Sequence, residues 1–153
     1  MTEVDNAAVA KAIIDTSRYM VLATADEDGK PWPSPVYFAP VEYSDFFWVS
    51  RPEARHSRNI AARPDVSIVI FDSSVPIGTG QGVYMTAVAR ELEGEDQATG
   101  LEVYSRRALE HGGRAFTQDD VGGSAALRFY RATAVEHFVL DDFDRRVPVQ
   151  LGP

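Results

Sequence analysis

Residues 46–64 have the sequence FFWVSRPEARHSRNIAARP, which predicts an aromatic strand that leads directly into a short basic helix. Ser50 and Glu53 have the spacing of a capping box. Pro52 lies between them and fits the first helical turn, where a missing N–H costs nothing. We therefore expect the helix to begin near Arg51 and to end before the proline that closes the segment.

The same segment concentrates positive charge at the predicted start of the helix. Its basic side chains are Arg51, Arg55, His56, Arg58 and Arg63. The free N–H groups and the positive dipole end of a helix N-terminus add to this charge. The combination predicts a phosphate site. The alternative is a solvated basic face that is paired with surface acids.

The composition predicts one domain that spans residues 1–153. Hydrophobic residues make up 44% of the chain, enough for a proper core at this length. The formal net charge is −8, with 23 acidic residues against 15 basic ones. The field of such a protein repels nucleic acid and anionic membrane surfaces, so we expect neither as a partner.

The lack of cysteine, the spacing of the histidines and the lack of long apolar runs exclude further classes of protein. The chain has no cysteine, so disulfides, thiolate nucleophiles and Cys-ligated metal sites are ruled out. Its three histidines do not have zinc spacing, and we expect no metal site. Residues 1–17 lack the basic start and apolar run of a signal peptide, and no run has transmembrane length. We expect a soluble, cytoplasmic protein.

Hydrophobic periodicity predicts a mainly β fold with added helices. The predicted strands cover residues 19–25, 32–41, 46–50, 66–71, 82–92 and 125–140. Helices are predicted from a cap within residues 2–5 to near Ser17, over the basic segment, and over residues 95–111 with Leu101, Tyr104, Ala108 and Leu109 inward. Strands and helices do not alternate regularly, so we predict a six-stranded antiparallel barrel.

Two local patterns refine this picture. Pro31, Pro33 and Pro35 cannot donate to a ladder, which places their strand at a sheet edge, at a bulge or beside a ligand. Gly78 and Gly80 form a Gly-x-Gly sequence in the loop 72–81. A dinucleotide-binding loop precedes a helix, whereas a strand pattern follows here, so we reject that interpretation. The loop could instead cover a cofactor.

With these elements placed, the chain resembles the pyridoxamine 5′-phosphate oxidase-like family, the FMN-binding split β-barrels. The resemblance covers nearly the whole chain. It is carried by VLAT at 21–24, DGKP at 28–31, SPVYF at 34–38, FWVS at 47–50, RHSRNI at 55–60, RPDVSIVI at 63–70, the strand at 83–90 and LRFYRA at 127–132.

The resemblance implies a set of FMN-binding positions. The family's phosphate-binding pair falls on Arg55 and His56, where many relatives have Arg or Lys. An uncharged histidine would bind phosphate as a hydrogen-bond donor. Ser50 matches a hydroxyl position near the ribityl phosphate, and Arg58 belongs to the same basic group.

Further positions are implied beside the flavin ring. Ser34 and Val36 match strand positions next to the isoalloxazine, and Val49 would contribute through its main chain. Gln81 lies near a position that contacts the flavin from the partner subunit in some relatives. The family resemblance therefore implies a homodimer with cofactor at the interface and a small-molecule substrate. For the strand aromatics Trp32, Tyr37, Phe47, Trp48 and Tyr84 we expect mostly core positions.

Three functions remain open at this point. The first is an FMN-binding oxidoreductase that moves hydride or electrons to or from a small organic substrate. The second is a reductase dependent on the deazaflavin F420, whose longer anionic tail would suit Arg51, Arg58 and Arg63. The third is a non-catalytic module that binds flavin or haem. Pyridoxamine phosphate oxidation itself is not expected, because Arg145 and Arg146 are the only candidates for its substrate-phosphate site.

Overall fold

The computed structural model describes residues 5–152. Strands and α-helices follow one another along the chain as α1 Asn6–Thr16, β1 Tyr19–Ala25, β2 Pro31–Tyr37, β3 Ala39–Val41, β4 Asp45–Ser50, α2 Arg55–Ala62, β5 Asp65–Phe71, β6 Gly82–Glu91, α3 Gly94–Glu110, β7 Arg128–Leu140 and β8 Arg146–Pro148. A short 3₁₀ turn, Gln118–Asp120, lies between α3 and β7. Asp5 caps α1 by accepting the N–H of Ala8 at 3.1 Å. The remainder of the predicted cap, residues 2–4, lies outside the described residues.

All strands join one antiparallel sheet that curls into the predicted split barrel. Its order is β2-β1-β5-β6-β7-β4-β3, with β8 paired to β7. The two ends of this order, β2 and β3, are separated in the chain by Phe38 alone, so the sheet must curl until its edges approach each other. Six strands have six or more residues, and β3 and β8 have three each. The predicted fold class is confirmed.

The proline-rich strand β2 lies at an edge, as its sequence predicts. It pairs only with β1, with Leu22 opposite Ser34 and Ala23 opposite Pro33. Alternate residues of an antiparallel strand direct their N–H and C=O groups to the same side. Pro31, Pro33 and Pro35 are such alternate residues, and none of them has an N–H to donate. The ladder to β1 must therefore use the non-proline residues, and the free edge of β2 offers proline carbonyl oxygens.

The core forms two clusters on the two faces of the sheet. The inner cluster contains Met20, Leu22, Trp48 and Tyr130, and Trp48 stacks on Tyr130 with ring centroids 5.6 Å apart. The second cluster lies under α3, where Phe129 stacks on Phe47 at 5.5 Å and meets Leu101 and Tyr104. β7 thus packs on both sides, which explains the apolar residues at successive positions of that strand.

Three predictions about the strands and about α3 are wrong. The strand expected over 32–41 is divided at Phe38, whose N–H donates to Arg18 O, because the chain crosses there from one sheet edge to the other. The last strand begins at Arg128 rather than at 125. Leu109 is 57% exposed, since α3 packs through Leu101, Tyr104 and Ala108.

Among residues 5–152 no helix combines the length and the apolar character needed to cross a membrane.

Candidate functional site

The basic helix α2 begins four residues later than the sequence predicts. It starts at Arg55, and Ala54 at its N-cap makes no side-chain capping bond. Residues 51–54 instead form a turn in which Ala54 N–H donates to Arg51 O at 3.2 Å. The predicted capping box of Ser50 and Glu53 is therefore wrong. The start at Arg55 places the free N–H groups of the helix beside Arg55 and His56.

Ser50 contacts His56 instead of capping the helix. Ser50 lies at the end of β4, and its Oγ is 2.8 Å from His56 Nε2. The imidazole is about half-buried, and burial lowers the pKa of His56. His56 is consequently neutral near pH 7, so it would bind an anion as a hydrogen-bond donor through its ring.

Arg55 and Arg58 supply the charge beside this pair. Both side chains are exposed and line one groove, and neither forms an ion pair with another residue of the described range. The guanidinium of Arg55 lies 4.2 Å from the ring centroid of Trp32, a cation–π contact that orients it. These observations disfavour a basic face that is neutralised by surface acids. Arg51 lies outside the helix, so it does not share this face.

The groove beyond the arginines is bounded by acidic residues. It has a volume of about 500 Å³, and Asp26, Glu27 and Asp28 of the β1–β2 turn line it with Lys30. Hydrogen bonds from the backbone N–H of Lys30, the largest effect, and of Asp28 lower the pKa of Asp26, so this carboxylate is ionised. Negative charge is therefore concentrated on the turn side of the groove, where Lys30 offsets part of it, while Arg55 and Arg58 lie on the helix side.

A buried polar contact fixes α2 against the sheet. Asn59 Nδ2 donates to Thr24 Oγ1 at 3.0 Å, and Thr24 Oγ1 donates to Trp32 O at 3.2 Å. Ile60 enters the inner core from the same helix. Because β1, β2 and α2 are tied together in this way, Arg55 and Trp32 are held in register.

Ser34 and Val36 lie on the inward face of β2. Their exposed fractions are 8% and 7%, and their N–H groups belong to the ladder with β1. A ligand at this edge would therefore meet the backbone of β2 rather than these side chains. Val49 is partly buried at the end of β4, where it pairs with Phe129 beside Ser50.

The family model described as pyridoxamine 5′-phosphate oxidase matches residues 7–136. The chain belongs to this family. Among curated proteins no sequence matches significantly.

Solved structures with the same fold have different names. A heme-binding protein from Mycobacterium smegmatis superposes with a TM-score of 0.76 at 18% identity over 98% of this chain, which spans 60% of that protein's length. HutZ, the heme storage protein from Vibrio cholerae, gives 0.65 at 22% identity over 81% of this chain and 86% of its own. A structure named F420 reductase gives 0.62 at 16% identity over 84% and 94%. These identities establish the fold alone.

Within the pyridoxamine 5′-phosphate oxidase fold, Gln81 lies apart from the basic site. Its Nε2 donates to Leu140 O, and its Oε1 accepts the N–H groups of Gly82 and Leu140, each at 2.9 Å. Gln81 thus joins the start of β6 to the end of β7. α2 comes just before the first residue of β5, whereas Gln81 lies beside the last, because Phe71 pairs with Gly82. The length of β5 therefore separates Gln81 from α2.

The structure places the predicted residues in separate groups. Ser50 bonds to His56 with Val49 adjacent, and Arg55 and Arg58 line one groove from the same helix. Gln81 and the side chains of Ser34 and Val36 lie elsewhere in the described chain. Sequence reasoning assigned most strand aromatics to the core, which holds for Phe47 and Trp48 but misses the contact between Trp32 and Arg55. The position of Trp32 between two prolines of an edge strand was the sequence feature that could have indicated its exposure and this contact.

Proposed function

We propose that this protein binds FMN at the start of α2 and acts as an oxidoreductase on a small organic substrate. The observation that supports the proposal is that the start of α2 carries the unpaired guanidinium of Arg55 next to His56, whose ring is hydrogen-bonded to Ser50. A phosphate monoester needs this combination of charge and directed donors. FMN would supply the hydride chemistry, while these residues bind and orient its phosphate.

The acidic side of the groove favours FMN over F420. An F420 tail would carry further negative charges past Arg55 and Arg58 toward Asp26, Glu27 and Asp28. Arg63, which the sequence offered as a further contact, instead donates to Glu27 O at 2.8 Å. With Lys30 and Arg63 set against the three carboxylates, the turn still carries a net negative charge that would oppose a long polyanionic tail, whereas the single phosphate of FMN would end at the arginines.

A non-catalytic haem-binding module is the second candidate. It is favoured by the two structures of this fold whose names describe heme binding or storage. The three histidines all lie in the described range, and each has one ring nitrogen in a hydrogen bond. A histidine ligand to haem would therefore have to use the other nitrogen of one of these rings.

We also propose that two subunits form a homodimer through the outer face of the sheet. Val21, Val69, Tyr84 and Phe138 are only partly buried there and line one apolar depression, which we call the outer patch. The family resemblance supports a dimer with cofactor at the interface. A partner subunit would also explain how a site can be completed beyond the residues gathered at α2.

An absorbance spectrum of the purified protein, with mass spectrometry of released ligand, tests the proposal. Flavin bands, or FMN binding with weaker F420 binding in titrations, would support it. A Soret band would favour the haem module, and failure to bind FMN would overturn the assignment.

A matched pair of variants tests the anchor itself. Arg55→Ala should weaken FMN binding by about 1.5–3 kcal/mol, because it removes a charge-assisted hydrogen bond. Arg106→Ala is the control, since this exposed arginine pairs with Glu102 on the outer side of α3. Equal FMN affinity in both variants, measured by fluorescence titration, would remove Arg55 from the site.

A further inference from the structure

A second pocket lies where the C-terminus of α3 meets the start of β1 and the end of β2. Its volume is about 380 Å³, within the range of small-molecule sites. Its lining includes Arg18, Tyr19, Tyr37, Tyr104, His111 and Phe116. We call this cavity the α3-end pocket.

Aromatic rings form its walls. Tyr37 lies edge-to-face against Tyr19, Tyr104 and His111, with centroid distances of 6.1, 5.7 and 5.7 Å. Tyr104 also meets Phe116 at 5.8 Å. Of these rings Tyr19 remains 63% exposed, so the wall still offers aromatic surface to a further planar ring, which aromatic packing favours.

A hydrogen bond between Tyr37 and His111 gives the pocket a directed donor. The Tyr37 hydroxyl is 2.7 Å from His111 Nδ1. Burial raises the pKa of Tyr37, and burial, followed by the charges of Arg107 and Arg18, lowers the pKa of His111, so both groups are neutral near pH 7. The positive field of Arg107 near the phenol oxygen favours a hydroxyl that donates to Nδ1. The imidazole proton then resides on Nε2, which has no partner among the described residues.

The charge around the pocket is mainly positive. Arg18 is exposed and forms no ion pair within residues 5–152. Arg107 donates to Ser17 O at 2.7 Å, and its buried Nε has no hydrogen-bond partner there. Arg114 stacks on Phe116 and is 3.5 Å from Asp120, while Glu110 is the acid that acts on Tyr37 and His111.

Tyr104 forms the buried base of the pocket and is uncharged. Burial, the largest effect, raises its pKa to about 12, so its phenol remains protonated. The pocket therefore joins neutral aromatic walls to cationic groups at its mouth.

We propose that the α3-end pocket binds a small aromatic carboxylate, whose ring packs among Tyr37, Tyr104 and Phe116 while its carboxylate meets Arg18 and the His111 Nε2–H. This goes beyond FMN binding and does not depend on it. The pocket and the phosphate site lie at opposite ends of β2: Tyr37 is five residues from Trp32, and a strand rises about 3.4 Å per residue.

Calorimetric titration of the full-length protein with benzoate, benzamide and acetate tests the proposal. Benzoate has the ring and the charge, benzamide has a ring of the same shape without the charge, and acetate has the charge without the ring. We expect benzoate to bind at least about tenfold more tightly than either analogue. Equal binding of benzamide, or no binding of benzoate, would overturn the proposal.

Variants assign the binding to this pocket. Arg18→Gln and His111→Phe should each weaken benzoate binding by about tenfold, because each removes one contact to the carboxylate. Arg106→Gln and Arg55→Gln should leave it unchanged, since the first lies on the outer side of α3 and the second at the phosphate site. Loss of benzoate binding in Arg55→Gln, with binding retained in Arg18→Gln, would place the carboxylate at the phosphate site and overturn the assignment. Thermal melting of each variant checks that it is folded.

Discussion

His56 stands where the family resemblance implies Arg or Lys, and its surroundings explain how this position could contribute to the proposed anion site. A half-buried ring bonded to Ser50 Oγ is held in one orientation. A neutral donor of fixed direction costs less to bury than an ammonium group. The charge for binding is left to Arg55 and Arg58, which remain exposed.

This environment predicts a pH dependence of stability. The pKa of His56 is lowered by burial below its ordinary value of 6.5, so the unfolded chain takes up the proton first as the pH falls. The contribution of His56 to stability is therefore fully present above its unfolded pKa and is lost as the pH falls through its folded pKa. His56→Gln should reduce the fall in Tm between about pH 7 and about pH 5.5.

The pKa of His111 is also lowered, so His111→Gln measures how much this second histidine contributes to the fall in Tm. Asp26, Asp120 and Asp141 have pKa values below 3.8 and act only at lower pH. An identical pH profile for the wild type and His56→Gln would contradict the assigned burial of this ring.

The same residue gives a prediction about binding. His56→Lys restores the commoner charge, so FMN affinity should be kept or increased, as measured by fluorescence titration. His56→Gln, which keeps a donor without charge, is the comparison. A loss of more than about tenfold in the lysine variant alone would show that binding needs the ring held by Ser50.

At the scale of elements, α3 packs closely on the sheet because it carries a glycine where the two surfaces meet. A Cβ on Gly100 would lie 2.7 Å from Phe129 Cε2 and 2.7 Å from Phe47 Cε1. The stacked rings of Phe47 and Phe129 belong to β4 and β7, so the glycine sets the distance between the helix and both strands. Close packing of this kind cannot relax without moving a helix or a ring pair.

Gly100→Ala should therefore destabilise the protein, although alanine is the better helix former. We expect a loss of about 1–3 kcal/mol in the free energy of unfolding from overpacking, against a gain of about 0.5–1 kcal/mol from propensity. Gly80→Ala is the control, because nothing lies within 4 Å of its added Cβ. Urea titrations in which Gly100→Ala equals or exceeds the wild type would refute the close approach.

At the scale of the whole molecule, the curled sheet has one face filled by the inner core and the other divided between α3 and the outer patch. The part under α3 is covered within the chain. The outer patch remains partly exposed, with Arg146 placed 4.5 Å above the ring of Tyr84. An apolar sheet face of this kind is where a second subunit would bury the most apolar surface.

If the dimer forms through the outer patch, a substitution there should reduce both dimerisation and FMN affinity. Val69→Asp places a charge in the outer patch, where pairing would bury it, and should shift the protein toward monomer in analytical ultracentrifugation. FMN affinity should fall with it if the interface contributes to the site. Ser124→Asp, an exposed position in the segment before β7, is the control. A Val69→Asp protein that stays dimeric would exclude this face as the interface.

Much of the fold is encoded in local sequence. The alternation in β1 and β6, the Asp-Gly turn at Gly29 and the proline edge strand β2 are properties of neighbouring residues, and all were predictable. Contacts within the candidate site were predictable only between residues that lie close together in the chain. Ser50 and His56 are six positions apart and do meet, although through a hydrogen bond other than the predicted helix cap.

The sequence by itself determined the mainly β fold, the edge strand and the charge gathered in the basic segment, because periodicity, proline and charge act locally. Tertiary structure alone decided which groups meet across long separations. Examples are Tyr37 with His111 and Gln81 with Leu140, 74 and 59 positions apart. These contacts depend on how far the sheet curls and where α3 packs, which follow from burial summed over the whole chain rather than from any one segment.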